Sequence, residues 1–117
     1  MNAEWVRRFC LSLPHTTEST PFGPDHLVFK VGGKIYAIVA LEPGGSTYMS
    51  LKSTPEEFAE LVELPGVIPA PYMARNHWIA LEHEDALPMA EIKRLIRRSY
   101  DLVVARLPKR TRAALGA

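Results

Sequence analysis

The sequence predicts an α+β domain in which an antiparallel β-sheet meander is flanked by helices, in the order α-β-β-β-α-β-α. Three patterns predict it. Apolar residues recur at helical spacing near both ends, two alternating runs meet at Gly32-Gly33, and Thr54-Pro55-Glu56-Glu57 is a helix start placed between sheet-like runs. A chain of 117 residues fits one compact domain, taken as 1–117. Folding a chain of this size hides roughly two-thirds of its unfolded surface, so no disulfide or metal staple is required.

The first helix rests on Trp5, Phe9 and Leu13, with Val6 and Cys10 beside them and Arg7, Arg8 and Ser12 pointing elsewhere. Asn2 is its cap, and Pro14 stops it because the ring collides with the preceding turn. His15 to Asp25 is rich in Thr, Ser, Pro and Gly and reads as a loop with room for a short edge strand over Glu18 to Phe22. Leu27 to Val31 alternates, and Gly32-Gly33 supplies the positive φ angles of a tight hairpin. Lys34 to Leu41 then places Ile35, Ala37, Val39 and Leu41 on one face and Tyr36, Ile38 and Ala40 on the other. Apolar residues on both faces mark a central strand. Pro43-Gly44-Gly45-Ser46 turns the chain into a third strand, Thr47 to Lys52.

Thr54 caps the second helix, Pro55 sits where no N–H is needed, and Phe58, Leu61 and Val62 form the inner face up to Gly66. Pro69 and Pro71 make an irregular segment as far as Arg75, and Trp78 to Glu82 reads as the next strand. Pro88 opens the last long helix, whose stripe of Ile92, Leu95, Ile96, Ser99, Leu102 and Val103 runs to Pro108. The tail, 109–117, is basic and then rich in small residues and reads as a helical turn that frays.

Hydrophobic residues at 47% and charged residues at 23% are ordinary globular values, which argues against a disordered or membrane chain. A net charge of +1 excludes a bulk polycation. One cysteine cannot form an internal disulfide, Glu4, Arg7 and Arg8 stand where a signal peptide needs an apolar run, and no stretch reaches membrane-spanning length. The expectation is a cytoplasmic protein with no membrane partner; oligomeric state is not legible.

His15, His26, His77 and His83 fall in separate segments, none at the spacing of a helical metal pair, so neither a metal nor another cofactor is expected. Cys10, beside Phe9 on the apolar stripe, reads as a small buried hydrophobe rather than a nucleophile. Gly32-Gly33 precedes a strand rather than a helix and lacks the helix N-terminus that holds phosphate.

Charge distribution carries more information. Lys93, Arg94, Arg97 and Arg98 lie on the outer face of the last helix, whereas Glu56, Glu57, Glu60 and Glu63 crowd the second. The basic face suits a phosphate backbone, and it is equally what a solvated helix face looks like. A second candidate surface comes from Lys30, Lys52, Tyr72, His77 and Trp78, which would form an aromatic cleft with cations at its rim if the sheet brings them together. The competing reading makes Trp78 core and the lysines strand-edge caps.

Several segments taken together resemble the MmcQ/YjbR family of small bacterial proteins: Pro21-Phe22-Gly23, Val28-Phe29-Lys30-Val31-Gly32-Gly33-Lys34, Leu51-Lys52, Val67-Ile68-Pro69, His77-Trp78 and Ser99-Tyr100-Asp101-Leu102-Val103. The resemblance runs from Leu11 to Leu107. It implies a CyaY-like fold and the label of DNA-binding protein that the family carries. Phe22, Lys30, Lys34, Lys52, Pro69, His77, Trp78 and Tyr100 match the recurring pattern, while Tyr72 before Met73 stands where many members have histidine. A frataxin-like fold also invites an iron reading, but the acids here are scattered.

The leading expectation is a non-enzymatic binding module for nucleic acid. Lys30, Lys34 and Lys52, with Arg94, Arg97 and Arg98, would meet phosphates, while Trp78 and Tyr72 stack and Phe22 belongs to the same matched set. The alternative is a small anionic ligand, or an uncharacterised reaction, in a pocket around Lys52, Tyr72 and His77. A third reading, a protein adaptor, would use the acidic second helix.

Overall fold

The computed structural model describes residues 3–41, 47–71 and 73–116, so the Asn2 cap and the 43–46 turn lie outside the described residues. Four helices, α1 (Ala3–Ser12), α2 (Pro55–Leu61), α3 (Met89–Arg106) and α4 (Lys109–Ala114), accompany six strands. The strands are β1 (Thr16–Ser19), β2 (His26–Val31), β3 (Lys34–Ala40), β4 (Met49–Lys52), β5 (Val67–Pro69) and β6 (Trp78–Leu81). They form a single sheet in the order β1-β2-β3-β4-β6-β5, with every neighbouring pair antiparallel. The mixed α+β architecture is the one the sequence predicts.

The main core lies between the sheet and the helices. Val6 and Cys10 of α1 and Ile92, Leu95, Ile96 and Val103 of α3 pack on Leu27, Phe29, Val39, Leu51, Ile79 and Leu81. The buried faces run through Val6 and Cys10 of α1 and through Ile92, Leu95, Ile96, Ser99 and Val103 of α3, while Trp5, Phe9 and Leu102 of the predicted stripes stay half-buried. Tyr36 and Tyr100 meet edge to face at 5.2 Å, and their hydroxyls donate to the Cys10 and Pro14 carbonyls, tying the end of α1 to the sheet and to α3. The Thr54 hydroxyl accepts the Glu57 amide, as the sequence of the cap requires.

Three elements differ from the sequence-based order. β1 occupies Thr16–Ser19 rather than Glu18 to Phe22. Tertiary contacts place it: Glu18 makes a two-point ion pair with Arg7 at 2.8 Å, and Thr16 shares a 2.9 Å hydrogen bond with the Tyr36 hydroxyl. Val67–Pro69, read as irregular, is the sheet's outer strand. A proline is tolerated there because an edge strand leaves some N–H positions unpaired. The basic tail folds as α4, with Leu115 packed on the core.

The alternation read over Lys34 to Leu41 also differs in the structure. The β2–β3 ladder slips between Phe29 and Lys30: Phe29 faces Ala37, but Lys30 faces Ile35, so Tyr36 is an extra residue. Such a bulge puts an unpaired residue into one strand and changes where its side chains point. Tyr36 consequently joins Ala37 and Val39 in the main core, while Ile35 packs beside Ala70, Trp78 and Ala80 in a second, smaller cluster.

Candidate functional site

The bulge has a direct effect on the neighbouring strand. β3 pairs with β4 only from Ala37↔Leu51 to Val39↔Met49. One step beyond, Ser99 of α3 takes the place of a ladder bond: its hydroxyl accepts the Lys52 amide at 3.0 Å and donates to the Tyr36 carbonyl at 2.6 Å. Ser99 is fully buried, so it is a bridge between two strand ends as well as a small packing residue.

At this end of the sheet, Lys34 and Ile35 of β3, Lys52 of β4, Trp78 of β6, and Val103 and Arg106 of α3 line a cleft of about 270 Å³. The local backbone is held firmly. Trp78 stands opposite Lys52 in the β4–β6 ladder, and Ser53 donates from both its amide and its hydroxyl to the carbonyl of His77, at 2.9 and 2.7 Å. The indole is only 8% exposed, so Trp78 is a core residue that also forms part of the cleft wall.

Three cations line this cleft. Lys34, Lys52 and Arg106 make no ion pair among the described residues, and no described lining residue is acidic. Loss of water and the charge of Arg106 both lower the pKa of the Lys52 ammonium. Crowded, partly dehydrated like charges raise the benefit of a bound anion, because the anion relieves both effects.

Other predicted site residues are placed elsewhere. Lys30 shares the face of Ile35, opposite it in the ladder, one strand beyond the cleft lining. Phe22, 61% exposed, lies in the turn before β2 and so at the far end of that strand, with about 13 Å of strand between His26 and Lys30. The His77 ring is edge-on to Phe58 of α2 at 5.6 Å, on the helix side, and does not join Lys52 and Trp78. Tyr72 lies outside the described residues.

The basic stripe of α3 is consumed internally. Arg94 binds Glu91 and Glu57, Arg98 binds Glu57, and Arg97 binds Asp101 at 3.2 Å. Hydrogen bonding to Arg94 holds the Glu91 carboxyl below its usual range. The Lys93 ammonium lies 6.0 Å from the Trp5 ring and 5.7 Å from the Phe9 ring. Glu57 of the acidic second helix is the residue that joins it to the basic face of α3, through Arg94 and Arg98.

Arg106 was absent from the sequence-based set. The signal for it was helical spacing: Ser99, Val103 and Arg106 stand at i, i+4 and i+7 on one face of α3. A second groove, of about 450 Å³, is lined by Trp5, Glu84, Asp85, Leu87, Pro88, Met89 and Ile92. Its carboxylates disfavour an anion. Among the described residues no three His, Cys, Asp or Glu side chains converge in a way that could hold a metal ion, and no helix is long and apolar enough to cross a membrane.

Comparison with known proteins adds the following. A family model described as YjbR matches residues 11–102. An Escherichia coli O157:H7 protein described as uncharacterized, YbdF, is 35% identical over 108 residues, spanning 92% of this chain and 88% of the relative. A Deinococcus radiodurans crystal structure with a DUF419 domain superposes with a TM-score of 0.81 at 30% identity, over 97% of this chain and 87% of that one. A Pseudomonas syringae structure gives 0.73 at 28% identity, over 87% of this chain and 98% of that one. The family match ends before Val103 and Arg106, so those two walls of the cleft lie beyond it.

Proposed function

The chain belongs to the YjbR family, and from that premise and the chemistry of the cleft we propose that it is a non-enzymatic binding protein for single-stranded nucleic acid. One observation carries the reading: Lys34, Lys52 and Arg106, all without an ion-pair partner among the described residues, surround an apolar wall of Ile35, Val103 and Trp78. Cations meet phosphate oxygens, and the apolar wall meets a sugar or base. Because little of the indole is exposed, its contribution stands at the low end of the roughly 1–3 kcal/mol expected per stacked base.

A single strand is favoured over a duplex for an electrostatic reason. The α3 face that would track a duplex backbone is already paired with Glu57, Glu91 and Asp101. Binding is favoured over catalysis because the described lining residues include no histidine, carboxylate, serine or cysteine with which to build an acid–base pair or an activated nucleophile.

Fluorescence anisotropy with short single-stranded and duplex oligonucleotides at low salt tests the reading. Single strands should bind more tightly, with a modest salt slope of about 2, since each neutralised phosphate contributes about 0.7. Lys34→Ala, Lys52→Ala and Arg106→Ala should each weaken binding. Absence of binding to every strand, or affinity unchanged from the unsubstituted protein in all three variants, overturns it.

A further inference from the structure

Resting on that reading, we propose that the cleft receives a terminal phosphate, the phosphomonoester at a strand end or on a free nucleotide, rather than an internal phosphodiester.

Charge matching is the first argument. Three cations, delivered by β3, β4 and α3, line one cleft with no described acid among its lining residues. An internal phosphodiester brings one negative charge, whereas a phosphomonoester carries roughly −1.5 to −2 at pH 7 and three exposed acceptor oxygens. Three donors from three elements suit three oxygens at one point better than a row of singly charged groups. Arg106 contributes a planar fork and the two lysines contribute point charges.

Size is the second argument. A space of about 270 Å³ lies below the usual range for a drug-sized ligand and suits one end group with part of its ring system. The third argument is the exit route. Lys30 stands beside Ile35 on the same sheet face, just outside the cleft. Adjacent strands lie about 4.8 Å apart, so β4 and β2 are separated by about 10 Å. A strand whose end is held at Lys52 and which runs over Ile35 would bring one of its following phosphates within reach of Lys30. The dianion also offsets the dehydration and the Arg106 repulsion that weaken the Lys52 ammonium.

The experiment compares one short oligonucleotide in three forms, with a 5′-phosphate, a 3′-phosphate, or hydroxyls at both ends, alongside nucleoside monophosphates and inorganic phosphate as competitors. A phosphorylated end should bind about tenfold tighter than the hydroxyl form, and that preference should disappear in Lys52→Gln and Arg106→Gln but persist in Lys30→Gln. Thermal melting of each variant confirms that it is folded, and Lys52→Arg should restore part of the preference. Equal affinity for hydroxyl and phosphorylated ends overturns this inference and leaves single-strand binding standing. Mononucleotide binding without binding of any oligonucleotide overturns strand binding and supports the end-group inference, with a free nucleotide as its source. Inorganic phosphate competing as well as a mononucleotide overturns it, because the apolar wall would then recognise nothing.

Discussion

The Ser99 hydroxyl accepts the backbone amide of Lys52 at 3.0 Å, a bond between residues 47 positions apart in the sequence. It fixes the last residue of β4 against α3 and so sets where the Lys52 side chain begins. Ser99→Ala removes this bond and the one to the Tyr36 carbonyl, leaving two strand-end groups without a partner. The expected loss is about 1–3 kcal/mol, read from chemical denaturation, with weaker strand binding than the stability loss alone explains. A loss below about 0.5 kcal/mol, the lower end for one bond, would show that the bridge is not needed.

Glu57 receives both Arg94 and Arg98. In Glu57→Gln these two cations lose a carboxylate on an accessible surface, so stability should fall by less than about 1 kcal/mol. Duplex affinity at low salt should rise and its salt dependence should steepen, because the α3 face then becomes available to phosphates. An unchanged salt slope contradicts the expectation that Glu57 withholds this face from phosphates.

Gly32 and Gly33 both have positive φ, 57° and 81°, but different surroundings. A Cβ at Gly32 would lie 2.6 Å from Leu107 Cδ1 and 3.2 Å from Thr111 Cγ2, whereas one at Gly33 meets nothing within 4 Å. Gly33→Ala should therefore cost only the backbone strain, about 1–2 kcal/mol, and Gly32→Ala visibly more, since the buried Leu107 has to move. Equal melting temperatures for the two variants would contradict the packing of α4 over the hairpin.

Lys52 makes the protein sensitive to alkaline pH. Its pKa is lowered from 10.5, first by loss of water and then by Arg106. Between the lowered native value and 10.5 the unfolded chain holds more protons at this position than the folded one, so this residue's contribution to stability rises with pH across that window. Anion affinity moves the other way, because the ammonium is lost. Subtracting the same titration for Lys52→Arg isolates the effect from tyrosines and other lysines. A flat difference in that window contradicts the partial burial of Lys52 beside Arg106.

Burial pushes the Cys10 thiol up to about 12, despite its neighbour Tyr36. Native protein at pH 8 should react with an aromatic disulfide only as fast as the core opens, and denaturant should accelerate the reaction sharply. Rapid labelling of the native protein is the outcome that rejects this placement.

Much of the architecture was legible because it follows from short-range patterns. The helical spacing of Trp5, Phe9 and Leu13 with Val6 and Cys10 beside them, the hairpin at Gly32-Gly33, the Thr54 cap and the stripe through Ile92, Ile96 and Ser99 are all written in residues within a few positions of one another. The site was legible only in part. Lys34, Lys52 and Trp78 do come together, but His77 turns to Phe58, Phe22 lies at the other end of β2, and Arg106 went unnoticed.

The sequence by itself determined the α+β class, the helix starts and stops and the Gly32-Gly33 hairpin, because period, capping and turn chemistry act locally. Only the tertiary structure decided which charges remain available. The extra residue at Tyr36 reorients Ile35, and Glu57 takes up two arginines of another helix. Ser99 bridges two strand ends. Each of these depends on distance in space between residues far apart along the chain, and electrostatic pairing and ladder register follow that distance rather than sequence separation.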